Sequence, residues 1–450
     1  SGIGSCNETD IVIPSVSPEG DAVISIHFNA FANCSRLTSI EIPNSVNSIG
    51  NSAFRNCENL KSVTFAKNSK LMSIGNDAFY CCFVLHTLVI PDSVTSIGNN
   101  AFYRCLSLEV KFTENSQLIS IGHDAFSDCY GITSIVIPSS VTSIGSRAFA
   151  NCSKITSVVI PSSATSIDSF AFSSCTSLKS ITVKSGNPNY KDIDGNLYTK
   201  DGATLLQYAI GKADTKFTIP SEVKNIGNYA FRDCDKLTII KIPSSVTRIS
   251  SSAFYNCSSL IDIQVDYYNP SYKDIDGNLY TKDGKTFVQY AIGKPNAKFT
   301  VPNSVTNIGG QSFSCCSNLT SVQLSNSITS IDSYAFSNCY SVTSIVIPAS
   351  VINVGEGAFF GCSNLASVKF AENSKLATID RYTFYECFSI TSISIPNSVS
   401  SIDVQAFYAC SNLTSVVIPS GMISIMTGAF HYCTNLTNVK YCGTVGGDKH

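Results

Sequence analysis

Fifteen of the 19 cysteines in this chain stand three residues after a phenylalanine, from Phe31 and Cys34 through Phe54 and Cys57 to Phe430 and Cys433. A thiol can act as a nucleophile, a metal ligand or half of a disulfide, and each use asks for its own pattern. A catalytic thiol is unique in the chain and lies near a base. A zinc site needs paired spacing such as CxxC, and a disulfide scaffold belongs to short secreted chains with irregular loops. Here one position recurs, so the thiols read as a ladder of small apolar side chains in a core, with disulfides between turns as the alternative. Cys6 extends the ladder by one place, and Cys81, Cys315 and Cys442 fall off register. Cys81 and Cys315 each precede a ladder cysteine, where Asn56, Arg104 and Asn151 stand in other units. A polar occupant points to solvent, so these two are expected to be exposed and to react first.

Other chemistry-bearing residues are sparse. The five histidines, His27, His86, His123, His431 and His450, are scattered, and His86 occupies a place held by Thr38 or Thr133 in other units, as a solvated residue would. There is no glycine-rich phosphate loop, HExxH or GxSxG, and the chain is therefore expected not to be an enzyme. Asp192, Asp194, Gly195 and Asn196, repeated as Asp274, Asp276, Gly277 and Asn278, match the front of a calcium loop. The distal Glu of such a loop is missing, and Asp201 or Asp283 would have to replace it, so an ordinary Asp-Gly turn is the better reading and no cofactor or metal is assigned. Tyr190, Tyr198 and Tyr208, with Tyr272, Tyr280 and Tyr290, either pack these segments onto the rest of the chain or form an aromatic contact surface.

The elements that would position these residues follow from the spacing of the phenylalanines. It is 23 in nine of fourteen intervals, 24 once, 25 twice and 59 twice, the last being 23 plus 36 inserted residues. A period of this size means a solenoid whose coils bury their apolar faces by stacking. In the unit Leu37 to Cys57, Ile40 and Ile42 alternate with Glu41 as a parallel strand with one buried face. Pro43 ends it, Asn44 and Ser45 turn, and Val46 to Ile49 form a second short extended segment. Gly50 is expected to supply a left-handed turn, and the stretch to Cys57 one helical turn with Ala53, Phe54 and Cys57 inward. Phe65 to Leu71, Phe112 to Leu118 and Phe370 to Leu376 replace the usual IPxSV with longer segments, expected to bulge at one edge. Residues 187–212 and 269–294 differ at four of 26 positions and read as β-hairpins, Asn196 to Thr199 with Thr204 to Tyr208 in the first, projecting from the stack.

Coils stack at roughly 4.8 Å, so the outward residues of the first strands are expected to form one row. Val89, Lys111, Val136, Val159, Val346, Lys369 and Val417 in that row make a candidate binding face, and the six hairpin tyrosines a second.

The run Ile137 to Ser157, which reads IPSSVTSIGSRAFANCSKITS, resembles the BspA-type, or Treponema-type, leucine-rich repeat of bacterial and protist surface proteins. The resemblance spans roughly residues 11 to 442 and implies an α/β leucine-rich-repeat solenoid, a right-handed coil of stacked short parallel strands and one-turn helices. It also implies an extracellular or cell-surface location and adhesion to a protein or glycan. It transfers no ligand and no catalytic residue. The organisation expected is an irregular cap-like repeat over 1–30, one solenoid over 31–442 carrying the insertions, and a tail over 443–450. Self-association end to end into filaments is the alternative function. With 30 basic against 32 acidic residues and no basic run, nucleic acid is not expected as a partner. No apolar run approaches the roughly 18 residues of a membrane helix, so no insertion is expected. The chain opens on Ser1, as a processed or trimmed chain would, and the sequons at Asn7, Asn33, Asn151, Asn256, Asn318, Asn412 and Asn435 matter only on a eukaryotic secretory route.

Overall fold

The computed structural model describes residues 9–442. Cys6 and the tail 443–450 lie outside the described residues. The chain forms two compact units, one of Ser1–Ala213 with Ile226–Asp233 and one of Asp214–Asn225 with Cys234–His450. Both are built from coils carrying a first strand of three or four residues and a second of two, such as Ser39–Ile42 then Ser48–Ile49 in the first unit, and Ser344–Ile347 then Asn353–Val354 in the second. Ile40 and Ile42 are buried while Glu41 between them is exposed, as the alternation requires. Strands pair in parallel with the same position of the next coil: Ser39 lies opposite Ser62, and Ser48 opposite Ser73.

The stretch from the second strand to the cysteine is not helical, and no helix occurs among the described residues. It is a row of turns in which two positions in most coils have left-handed backbone, Asp124 and Asp128 (φ 52° and 61°) in one coil and Arg147 and Asn151 (φ 55° and 58°) in the next. A positive φ at every fourth residue stops an α-helix from propagating. It also turns alternate N–H groups toward the neighbouring coil: Asp124, Phe126 and Asp128 donate to the carbonyls of Ser146, Ala148 and Ala150 at 2.8–2.9 Å. The turns therefore form a third ladder beside those of the two strands. The glycine before them is not left-handed, contrary to expectation. A Cβ on Gly145 would sit 2.8 Å from the carbonyl carbon of Gly122, so close coil approach, not backbone hand, is what excludes a side chain there.

Inside the turn row the phenylalanines stack. In the first unit Phe31 through Phe172 lie with ring centroids 5.0–5.6 Å apart and planes within 9°. In the second, Phe313 through Phe430 stack at 4.8–5.4 Å, with Phe287 upon Phe313 at 4.6 Å. Each fully buried ring contributes on the order of 1.5–3 kcal/mol relative to exposure.

The two insertions do not project. Each is a three-stranded antiparallel meander, Tyr190–Ile193, Asn196–Thr199 and Thr204–Gln207 in the first unit. In the second, the last of the three, Thr286–Gln289, pairs in parallel with Asn307–Ile308 and so serves as a second strand of the stack. The meander stays down because it carries large apolar side chains into the core: Leu197, Tyr198, Leu205 and Tyr208 are buried, as are Leu279, Tyr280, Phe287 and Tyr290. Asp194 and Gly195, with φ of 49° and 71°, make the tight turn, as do Asp276 and Gly277.

The first-strand ladder is interrupted where the longer segments occur. In the first unit it stops after Ser62–Phe65 and again after Glu109–Phe112, resuming at Thr87–Ile90 and Ser134–Val136. In the second it stops after Ser367–Phe370 and resumes at Ser392–Ser394. The two extra residues of each bulge displace the strand edge from its neighbour; in the first unit the second-strand ladder continues past both bulges, whereas in the second it too breaks, between Asn353–Val354 and Thr378–Ile379.

Candidate functional site

These interruptions shape the most conspicuous surface of the first unit. Between strand Glu109–Phe112 and strand Ser134–Val136 lies a cleft of about 580 Å³, with Phe112, Val136, Ile137, Pro138, Val159 and Pro161 along its walls. Val136 is 64% exposed and lies opposite Val159 in the ladder, the one place in the first unit where two of the expected face valines are in register. Exposed Glu114 and Lys184 stand at its rims, giving the cleft one acidic and one basic edge. Two further clefts repeat the device, one beside Phe65 and Val89 in the first unit and one beside Phe370 and Ser394 in the second.

The expected continuous row is thus corrected to short runs. Val89 is exposed and faces Lys111; in the second unit Val346 is exposed and faces Lys369, and Val417 is half-buried between Ser394 and Lys440. The sequence marked the longer segments as bulges but not their effect: a bulge two residues long cannot keep both strand edges in register.

The tyrosine contact surface is corrected too. Tyr198, Tyr208, Tyr280 and Tyr290 are buried and pack the meanders onto the coils. Tyr190 and Tyr272 are half-buried, and their hydroxyls accept the backbone N–H of Ile167 and Ile249, each at 3.0 Å, in place of a ladder partner. The aspartates of the calcium-like motif serve the backbone as well. Asp192 accepts from the Val183 N–H at 2.7 Å and Asp274 from the Val265 N–H at 2.9 Å, while Asp201 and Asp283 each accept a threonine hydroxyl and a turn N–H. Among the described residues no group of three or more His, Cys, Asp or Glu could hold a metal ion.

The ladder thiols are buried, with Cys433 at the end half-buried, and no disulfide joins them among the described residues. They carry a contact that the spacing alone did not reveal. The S–H of Cys152 donates to the carbonyl of Phe126 one coil back at 3.1 Å, and Cys57, Cys105 and Cys175 do the same to Phe31, Phe79 and Phe149; in the second unit Cys362 and Cys387 reach Phe336 and Phe359. The carbonyl of Phe149 also accepts the N–H of its own Cys152, so both its lone pairs are used. Burial pushes the Cys175 thiol up to about 12 and Cys105 and Cys152 well above the usual range, the reverse of what a nucleophile needs. Cys81 is buried, against the expectation of exposure, although it shares its left-handed backbone (φ 59°) with exposed Arg104 and Asn151 at the same place; Cys315 is half-buried and Cys442 exposed.

The family model for the BspA type leucine rich repeat region, six copies, matches residues 24–119, 109–201, 211–285, 292–376 and 329–446. The chain belongs to this family. Comparison with curated proteins found no match. Among solved structures, this BspA-type chain is similar to a leucine rich cell surface protein of Faecalibacterium prausnitzii A2-165, at 28% identity over 98% of this chain and 89% of that one, TM-score 0.40. It is similar to a leucine-rich repeat protein of Bacteroides ovatus ATCC 8483, at 23% identity over 96% and 91% of the two chains, TM-score 0.47. It is also similar to the pneumococcal vaccine antigen PcpA, at 19% identity over 98% and 91%, TM-score 0.46. In this BspA-type chain, the repeat residues that define the family are those of the core and turns. The clefts open where it departs from its own repeat, with ordinary repeat residues such as Ile137 and Pro138 forming one wall of the first. No helix among the described residues is long and apolar enough to cross a membrane.

Proposed function

We propose that this protein is an extracellular or cell-surface recognition protein that binds a partner protein by accepting an extended segment in the cleft between Glu109–Phe112 and Ser134–Val136. One observation carries the reading: a ladder interruption places two unpaired strand edges beside a pair of in-register valines. An extended segment satisfies unpaired strand edges by adding a strand, and its alternate side chains would rest on Val136 and Val159. The charged rims, Glu114 and Lys184, would set its direction. The family resemblance supports the location, and the burial of the ladder thiols favours a structural over a chemical use of them. The test is capture of the chain by a panel of immobilised extracellular-matrix proteins. Val136→Asp with Val159→Asp is expected to abolish capture by whichever member binds, whereas Ser394→Asp beside the polar cleft of the second unit leaves it unchanged. Capture unaffected by the double substitution would remove the cleft from the account.

A further inference from the structure

The turn row presents a second surface, on a different face from the strands. The residue after each phenylalanine lines it, and in the first unit this position reads Arg55, Tyr80 and Tyr103, all half-buried, then Ser127 and Ala150, both buried. Ladder bonds fix the order coil by coil: the carbonyls of Tyr80, Tyr103, Ser127 and Ala150 accept in turn from Asn56, Cys81, Arg104 and Asp128. The Arg55 guanidinium lies 4.4 Å from the Tyr80 ring centre, and Tyr80 stacks on Tyr103 with centroids 5.0 Å apart. There the aromatic column ends. Ser127 and Ala150 are too small to continue it, and a hollow of about 450 Å³ runs along the column from Arg55, Asp77 and Tyr80 past Tyr103 to Asp124, Ser127 and Arg147. That is within the roughly 300–1,000 Å³ of small-ligand sites.

We infer that this ledge is a carbohydrate subsite that takes one neutral pyranose ring of a glycan, its C–H face on Tyr103 and its hydroxyls on Asp124, Arg147 and Asn100. It rests on the reading of the protein as a surface recognition molecule and adds a second ligand class at a second place. Three features select this occupant. The negative π-face of a tyrosine attracts the weakly positive C–H groups of a sugar ring. The coil spacing, seen in the 5.0 Å between Tyr80 and Tyr103, leaves a slot of ring thickness when an aromatic is replaced by serine. The charges balance: Arg147 holds Asp124 through two bonds of 2.9 Å, and Arg55 lies 3.7 Å from Asp77. Two arginines already paired with two carboxylates offer an anion no net attraction, while their remaining donors and acceptors suit hydroxyls, which both give and take. The second unit lacks the ledge. Its column Phe360, Tyr385 and Tyr408 has His431 and Tyr432 against Tyr408 and Tyr334 against Phe360.

Saturation-transfer NMR and calorimetry with the methyl glycosides of glucose, galactose, mannose and N-acetylglucosamine, and with sialyllactose as the anionic comparator, test this on the full chain. At least one neutral glycoside is expected to bind. Tyr103→Ala should weaken it about tenfold, and Ser127→Tyr, which continues the column as Tyr80 and Tyr103 already do, should abolish it. Tyr408→Ala should leave it unchanged. Because Ser127→Tyr reproduces a residue that other coils carry at the same place, it keeps the test decisive should Tyr103→Ala fold poorly. Binding of sialyllactose alone, binding indifferent to Ser127→Tyr, or no binding by any neutral glycoside would each overturn the inference. Capture of matrix proteins through Val136 and Val159 should survive Ser127→Tyr, so failure of the ledge and failure of the cleft remain separate results.

Discussion

Two neighbouring coil contacts in the first unit differ in a single respect. Between the coils of Ser134–Val136 and Ser157–Ile160 all three ladders run: Val136 faces Val159, Ser143 faces Ser166, and Phe149 donates to the Ala171 carbonyl at 2.8 Å. Between the coils of Glu109–Phe112 and Ser134–Val136 the first ladder is missing. The second remains, with Ser120 opposite Ser143, and so does the third, with Phe126 donating to Ala148 at 2.8 Å and its ring 5.3 Å from that of Phe149. A coil held by three independent ladders can give one up and stay stacked. The cleft is therefore a local omission in the fold, needing no separate domain to build it.

If the buried thiols secure both contacts equally, alkali should dissolve them together. A thiol raised in the folded state adds stability that is complete below its unfolded value near 9 and is lost as pH rises through its folded value. For Cys175, pushed up to about 12, the window is pH 9 to 12. A three-unit difference is on the order of 4 kcal/mol, and several such thiols make this the largest effect. Amide exchange followed through that range should show Phe126 and Phe149 losing protection at one pH; Phe126 opening first would mean that the interrupted contact is the weaker one even while the thiols hold.

Removing a stacked ring tests the same contrast at fixed pH. Phe54→Ala, where the coils on both sides keep all three ladders, and Phe126→Ala, at the interruption, should each cost about 3–5 kcal/mol in urea unfolding. The second should lie at the upper end, because one fewer ladder resists collapse or slippage around the cavity. Equal costs would show that the first ladder carries little of the local stability.

What the sequence made legible, and what it hid, follow the same division. The strands, the proline-terminated turns and the inward Phe and Cys were readable because each depends on residue type at a fixed place. The third ladder was not, since Asn56, Arg104, Cys81 and Gln405 share nothing in composition and differ from their neighbours only in backbone hand. A helical spacing of three between Phe and Cys fits a turn row equally well. The hydrogen bond from thiol to carbonyl one coil back was hidden for a related reason: it joins residues 26 apart, as in Phe126 and Cys152, and periodicity says which positions stack without saying which atoms meet. The meander tyrosines could be read either as packing or as a contact surface because their segment is rich in Asp, Lys and Asn. Yet Tyr198 lies on the middle strand, Asn196–Thr199, which has a partner on either side and buries three consecutive residues, a coverage that no alternation in the sequence announces.

Closing the cleft is a more moderate intervention. Replacing residues 112–118, FTENSQL, by the IPSSV of residues 137–141 removes the two extra residues and should let the first ladder run from Glu109 to Ile160 without a break. Two or three new backbone bonds at roughly 0.5–1.5 kcal/mol each are expected to slow exchange at Val136 and to raise the urea midpoint. Protein capture should disappear although Val136 and Val159 are untouched. Retained capture would mean that the valines bind from the open face and that the strand edges contribute nothing.

The smallest effect concerns the reason for cysteine itself at the ladder position. Cys152→Ala keeps an apolar core but removes the donor to the Phe126 carbonyl, whereas Cys152→Ser keeps a donor and introduces a hydroxyl into a site with no exposed surface. If position 152 were chosen only for size and apolarity, serine should be the worse replacement, since a buried hydroxyl without a partner costs about 1–3 kcal/mol. If the thiol matters as a donor, serine can satisfy the same carbonyl and should match or exceed alanine, with both within about 1–2 kcal/mol of the parent. The pair is best compared by urea unfolding at neutral pH, where the thiol is protonated in both states and ionisation drops out of the difference. Serine falling well below alanine would return the ladder to simple packing. The same pair at Cys175, whose thiol reaches the Phe149 carbonyl across the contact that keeps all three ladders, would show whether that ranking of serine and alanine holds away from the cleft.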